Sequence, residues 1–404
     1  MSWEYVALGE LYEVHNGLSK GGKFFGKGSP FLSFSTVFNK WFLPQELLDL
    51  VQSTDNEQQS YSILRGDVFV TRTSETMDEL GMSSVALKDY PHATYNGFTK
   101  RLRPINPERI LPEFIGYYLR TAVFRAGFTA FSTMTTRASL RNEDLLSMKV
   151  PVPDMQTQKH ISSILSAYDD LVESNQKQIK LLEEAAQRLY KEWFVDLRFP
   201  GHETTPIVDG IPEGWEVCKF SEIASIMSGG TPKTEVKEYY EGDIPFYTPK
   251  DSDGSFFVFD TITHISEAGL EHCNSQYYPE GTVIITARGT VGKTTILAVP
   301  MAMNQSCYAL KCDELNSPYY LFFSLNKEVD SLKTMANGGV FNTIIVKTFD
   351  SISLTIPTQK VLSAFNAVVS SIMQQIKHRL TRAHREKQLK MSCQALHNAP
   401  PNRT

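Results

Sequence analysis

Two stretches of this chain contain neither glycine nor proline: residues 155–194, and residues 358 to about 395. In the first, seam side chains recur every seven positions in two rows. Leu165, Val172, Ile179, Ala186 and Trp193 form one row, and Ile161, Tyr168, Asn175, Leu182 and Leu189 form the other. This spacing predicts a long helix with a coiled-coil seam, in which Asn175 is the polar residue that fixes register. The second stretch places Leu362, Val369, Ile376 and Ala383 in one row and Met373 and Leu380 in the other. Its heptad lapses after Ala383, and the run from His378 turns basic. A helix of about 40 residues is about 60 Å long, which exceeds the width of a domain. Each helix therefore needs a partner along its seam, and the most economical partner is the other helix. Elsewhere, short Val/Ile/Phe runs punctuated by Gly and Pro predict strands, with helices over residues 113–124 and 318–335.

The segments around the helices are written twice. "WEYVALGEL" from Trp3 returns as "WEVCKFSEI" from Trp215, and "PFLSFS" from Pro30 as "PFYTPK" from Pro245. "RGDVFVT" from Arg65 returns as "EGTVIIT" from Glu280, and "LPEFIGYYL" ending at Leu119 matches "NSPYYLFFSL" ending at Leu325. "KVPVPDMQTQK" ending at Lys159 matches "SLTIPTQK" ending at Lys360. Five matches in the same order indicate a duplication. The expected fold is α+β: two similar globular α/β modules separated by two long antiparallel coiled-coil helices, related as a pseudo-twofold duplication. Its boundaries are residues 1–152 and 199–356 for the modules, 153–198 and 357–397 for the helices, and 398–404 as a disordered tail.

Composition adds limits. The net charge of −5 argues mildly against nucleic acid, since phosphate contacts draw on Lys and Arg. The five cysteines are scattered. Cys307 and Cys312 lack a second Cys/His pair, so no metal site is expected and reduced thiols in a cytoplasm are the simpler reading. No apolar run is long enough to span a membrane, and the first residues lack a signal core. "ARGTVGKTT" from Ala287 fits a loose phosphate-loop pattern, but "TILAVPMAM" after it reads as a strand, whereas a phosphate loop opens a helix. Its counterpart in the first half carries Met82 where Lys293 stands. "NSPYY" from Asn316 faintly resembles an adenine-methyltransferase motif, yet it reads better as a helix start with Ser317 as cap. Nothing catalytic is duplicated.

Polar and basic loops are duplicated. The first follows the early strand, with Lys20, Lys23 and Lys27 against Lys233 and Lys237. The second follows "VFVT" or "VIIT", with Arg72, Thr73 and Ser74 against Arg288, Thr290 and Lys293. The third carries Arg137 and Arg141 against Asn342, Thr343 and Lys347. Lys250, in the "PFYTPK" segment, joins this set. Such side chains on Gly-flanked loops suit contacts to phosphates and base edges. Two similar frames with different loops would read two different half-sites.

"LYKEWFVDLRFPGHE" from Leu189, followed by "GIPEGWE", resembles the central conserved region of the specificity (S) subunits of type I DNA restriction–modification enzymes. "VPVPDMQTQKHISSILSAYDDLVESNQKQIKLLE" resembles their first spacer helix, and "IPTQKVLSAFNAVVSSI" the distal copy. "GTVIITARGTVGK" is similar to segments of their target-recognition domains. The resemblance covers almost the whole chain. It implies a non-catalytic subunit without a cofactor of its own. Its modules are then target-recognition domains, each reading half of a bipartite, asymmetric site in double-stranded DNA. The helices act as a ruler and dock two methyltransferase (M) subunits, which bring S-adenosylmethionine and methylate adenine. Motor–nuclease (R) subunits bring ATP and magnesium. The rivals are a P-loop ATPase and a coiled-coil scaffold that does not touch DNA.

Overall fold

The computed structural model describes residues 3–74, 80–129, 138–311, 317–335 and 343–398. It forms two compact units, Met1–Val172 with Arg385–Thr404, and Glu173–His384. The dividing points fall inside the two long helices, Met155–Tyr190 and Gln359–Asn398. Arg137, Asn342, Cys312 and all of the expected tail except Asn398 lie outside the described residues.

In the first unit, Tyr12–Asn16, Thr99–Pro104, Val68–Thr71 and Ser83–Val85 form an antiparallel sheet in that order. Val68–Thr71 is buried along its whole length, as its unbroken apolar run requires. A second sheet joins Leu50–Val51, Phe25–Leu32 and Thr94–Tyr95, the last pair being parallel. Glu4–Ala7 pairs with Lys149–Val152, which closes the module just before the long helix.

The second unit repeats this plan. Ser225–Ser228, Cys307–Lys311, Val283–Thr286 and Thr294–Leu297 take the same order. His264–Ile265, Ile244–Tyr247 and Ala302–Met303 form the second sheet, again with one parallel pair. Glu216–Lys219 pairs with Ser353–Ile356. The duplication is thus one of topology as well as of sequence. The second module adds the strand Phe257–Val258, where the first has only the bridge between Phe42 and Val85.

The predicted helix over 113–124 is two helices, Pro112–Tyr118 and Ala122–Thr129. Thr121 makes the break. Its hydroxyl donates to the Tyr118 carbonyl at 2.7 Å and accepts from the Phe124 amide at 3.3 Å, ending one helix and capping the next.

Asp154 starts the first long helix, accepting the Thr157 amide at 2.9 Å and hydroxyl at 2.7 Å. Those bonds hold its carboxyl below the usual range. The helix passes through a π-helical turn at Lys191–Val195 and stops where Leu197 and Gly201 take positive φ. In the first unit, Ile161 and Leu165 enter the module core, while Tyr168 and Val172 are half-buried. Tyr117 donates to Asp169 across this contact at 2.7 Å.

In the second unit the two long helices run antiparallel. Ile179 and Ala186, with Leu182, Leu189 and Trp193 at the margin, share one core with Leu362, Val369, Met373 and Ile376, and with Leu380 at its margin. Ala383 is buried. Asn175 is 4% exposed, and Arg379 Nη1 lies 3.4 Å from its amide oxygen. Phe365, which the heptad reading did not include, is fully buried. Its ring centroid lies 4.9 Å from Phe194, 5.9 Å from Trp193 and 6.4 Å from both Tyr190 and Tyr320.

Truncating so well packed an aromatic ring typically costs about 3–5 kcal/mol. Phe365→Ala is therefore expected to lower unfolding stability by about that amount in urea denaturation followed by tryptophan fluorescence. Leu181→Ala, at a position 64% exposed, is expected to stay within about 0.5 kcal/mol of the parent.

Candidate nucleic-acid interface

The segment that imitates a phosphate loop is the tip of a hairpin. Val283–Thr286 and Thr294–Leu297 pair antiparallel, and no helix follows. Thr286 organises the tip. Its hydroxyl accepts the Lys293 amide at 3.0 Å and donates to the Thr290 carbonyl, while the Gly292 amide donates to the Thr286 carbonyl at 2.8 Å. The first module builds the same turn. The Thr71 hydroxyl accepts the Met82 amide at 2.9 Å, and the Gly81 amide reaches the Thr71 carbonyl at 3.2 Å. Gly81 and Gly292 sit at φ 71° and 76°, which a side chain would oppose. A phosphate loop turns such amides toward its ligand; here they close the turn. The residues do not fit an ATP cradle.

This register follows the match of "RGDVFVT" with "EGTVIIT": Arg72 aligns with Ala287, and Arg288 falls one position later. The Arg72 amide donates to the Phe98 carbonyl and the Ala287 amide to the Ser306 carbonyl, at 3.0 and 2.7 Å.

Two of the three recurring loops bind a fourth that sequence reading missed, and the third binds the hairpin. Asn96 and Asn304 each fold an Asx turn, their side-chain oxygens accepting the amides of Phe98 at 2.7 Å and Ser306 at 3.0 Å. On one side the turn binds the early loop. Leu18 donates to the Tyr95 carbonyl at 2.9 Å, and Gly230 to the Met303 carbonyl at 3.2 Å. A Cβ at Gly17 would lie 2.1 Å from the Asn96 oxygen, and one at Gly229 2.3 Å from the Asn304 oxygen, so both positions exclude side chains. On the other side the turn binds the hairpin, and the hairpin binds the third loop. Leu140 donates to Arg72 and Ile344 to Ala287, each at 2.9 Å. The one shared signal was an asparagine, in "TYNGF" and "AMNQS".

Candidate side chains divide accordingly. Arg72 and Thr73 are half-buried at the first module's edge, and Thr73 and Ser74 pair in the backbone with Ser139 and Ala138. Lys20 is committed elsewhere, donating to the Gln52 carbonyl at 2.6 Å and to Glu57 at 2.7 Å, which holds the Glu57 carboxyl below its usual range. Lys23 lies over the Phe24 ring, and Lys27 is exposed on the second sheet. Arg141 is exposed and paired with Asp144 at 2.8 Å. In the second module, Arg288, Thr290 and Lys293 are exposed at the hairpin tip. Thr290 Oγ1 reaches the Pro249 carbonyl at 3.3 Å, which places Lys250, also exposed, beside the tip. Lys233, Lys237, Thr343 and Lys347 are exposed on separate segments. One cation not anticipated is Lys100. It is 5% exposed and bonded to the Asn142 side chain, and burial together with nearby Arg72 lowers its pKa.

Among the described residues, no group of His, Cys, Asp and Glu is placed to hold a metal, and no helix is long and apolar enough to cross a membrane. Burial raises the Cys307 thiol pKa.

A frame copied twice, keeping its strands and turns while varying its exposed edge, defines a duplicated recognition subunit. The chain belongs to the type I restriction modification DNA specificity domain family, which it matches over residues 1–184 and 212–390. It has the function of a type I restriction–modification specificity subunit. It is 24% identical over 335 residues to the specificity subunit of the type I restriction enzyme HindI of Haemophilus influenzae, covering 67% of this chain and 72% of that one. It is 27% identical over 307 residues to the MjaIX specificity subunit of Methanocaldococcus jannaschii, covering 72% and 68%. The crystal structure of a type I restriction–modification S subunit from M. genitalium shares the fold, with a TM-score of 0.60 at 13% identity, covering 98% of this chain and 95% of that one.

Calorimetric titration of magnesium–ATP into the full chain is expected to show no binding. Tight binding that Lys293→Ala abolishes would contradict the hairpin assignment.

Proposed function

We propose that each module reads one half of a bipartite, asymmetric site in double-stranded DNA, through the edge formed by its hairpin tip, Asx turn and flanking loops. The observation that carries this reading is the same turn built twice with different edge side chains: half-buried Arg72 and Thr73 in one module, exposed Arg288, Thr290 and Lys293 in the other. The constant backbone ties set the pose, and the variable side chains set the sequence read.

In this reading the chain performs no chemistry. The antiparallel long helices hold the modules at a set spacing and dock two methyltransferase subunits, which bring S-adenosylmethionine and methylate adenine. Motor–nuclease subunits supply ATP and magnesium chemistry. A subunit written twice has two equivalent places for two identical partners. The net charge of −5 is compatible with this because the partners share the phosphate contacts.

Methylome sequencing of a host expressing the chain with its methyltransferase partner is expected to show one split, asymmetric adenine-methylation motif. Replacing residues 1–152 with those of another specificity subunit should change one half of that motif and leave the other intact. A continuous or palindromic motif, or a change in both halves, would contradict the two-module reading.

A further inference from the structure

In both modules one position of the repeated helical segment reaches across to one hairpin position, from the turn just past Pro112–Tyr118 in the first and from within Pro318–Met335 in the second. Arg120 follows Leu119 at the end of the repeated "LPEFIGYYL", and Asn326 follows Leu325 at the same place in the second copy. Ser83 and Thr294 each lie two residues past the positive-φ glycine of the hairpin. Arg120 Nε donates to the Ser83 carbonyl at 2.6 Å. Thr294 Oγ1 donates to the Asn326 side-chain oxygen at 2.5 Å, and Asn326 Nδ2 is anchored on the Phe322 carbonyl of its own helix at 3.0 Å. The link is the same in position and different in chemistry.

The first link carries an unusual cost. Arg120 is largely buried, and its partners among the described residues are the carbonyls of Ser83, Val37 and Lys40, the latter two at 2.8 and 3.1 Å, and the Met82 sulfur. Burial, with Arg125 nearby, pushes its pKa down to about 10, so it stays charged at neutral pH. A guanidinium buried among carbonyls without a carboxylate is expensive. It is suited to one geometric task, since a rigid fork holds several acceptors at fixed angles. Those acceptors belong to the hairpin's return strand and to the end of the helix Phe34–Asn39. The second module does the same task with a neutral Thr–Asn pair.

We infer that Arg120 and the Thr294–Asn326 pair are positioning residues, each fixing the pose of its own module's recognition hairpin on the helix that packs beside it. They touch no DNA in this account. They act through the hairpin, so their loss loosens discrimination in one half-site only. This rests on the reading of the hairpin tip as the DNA edge.

The test uses the full chain with its methyltransferase partner and reads the methylated motif genome-wide. Arg120→Met removes the donors at similar volume, and Thr294→Val removes one hydroxyl. Arg120→Met is expected to raise methylation at sites mismatched in the first module's half by about tenfold, the scale of one mismatch penalty, with the other half as stringent as the parent. Thr294→Val should relax the opposite half, and because it deletes a single hydroxyl it keeps the test decisive if Arg120→Met does not fold. Methylation that falls evenly over an unchanged motif, or a motif and level both unchanged, overturns the proposal. A parent motif that is not split overturns the two-module reading first, and the proposal with it.

Discussion

Phe365 lies without solvent exposure among Tyr190, Trp193 and Phe194 of the first long helix and its π-turn, and Tyr320 of the second module's helix. Much of the second unit depends on this contact. It joins three elements that are far apart in sequence: the end of one long helix, the start of the other, and the helix that supports the recognition sheet. Burying a phenylalanine side chain contributes about 1.5–3 kcal/mol, and each aromatic pair adds about 0.5–1.5 kcal/mol. The energy is concentrated where the helices meet the module. Beyond the clamp the seam is carried by smaller aliphatic contacts and by Asn175 near Arg379.

From the clamp outward, each layer supports the next. The module helix fixes the central sheet, the sheet fixes the hairpin, and the hairpin carries the edge. The two modules agree closely in the parts that hold: the Thr–Gly turn, the Asx turn, the excluded side chains at Gly17 and Gly229, and the closing strand pair. They diverge along the edge, where Arg72 and Thr73 are half-buried in one module and Arg288, Thr290 and Lys293 are exposed in the other. This separation lets one frame serve two sequences. Backbone hydrogen bonds tolerate side-chain replacement, so specificity can change without loss of fold.

The long helices and the duplication were legible in the sequence because both are periodic: heptads free of Gly and Pro for one, five ordered matches for the other. The hairpin was legible from "TILAV", whose β-branched residues do not open a helix. Other features were not legible, for physical reasons. Phe365 lies one residue off the heptad row, because its ring packs at once on the end of the first long helix, at Tyr190, Trp193 and Phe194, and on Tyr320 of the module helix. The break at Thr121 depends on one hydroxyl turning back on its own backbone. The Asx turn is a local bond of Asn96 or Asn304 whose importance comes from loops that are distant in sequence. In the sequence Lys20 reads as available for phosphate, but its ammonium is paired with Glu57, which is distant in sequence. Composition gave no warning of the buried Lys100 or the partly buried Arg120.

The central claim is that two independent readers are held apart by a helical ruler, and it is tested most directly by changing the ruler alone. Four residues inserted after Val172 in the first long helix and four after His384 in the second add one turn to each, about 6 Å, as a stutter that a heptad seam accommodates. At about 3.4 Å per base pair, the spacer between the methylated half-sites should lengthen by about two base pairs, with both half-site sequences unchanged. Methylation that persists at the original spacing, or a change of bases within either half, would contradict the account.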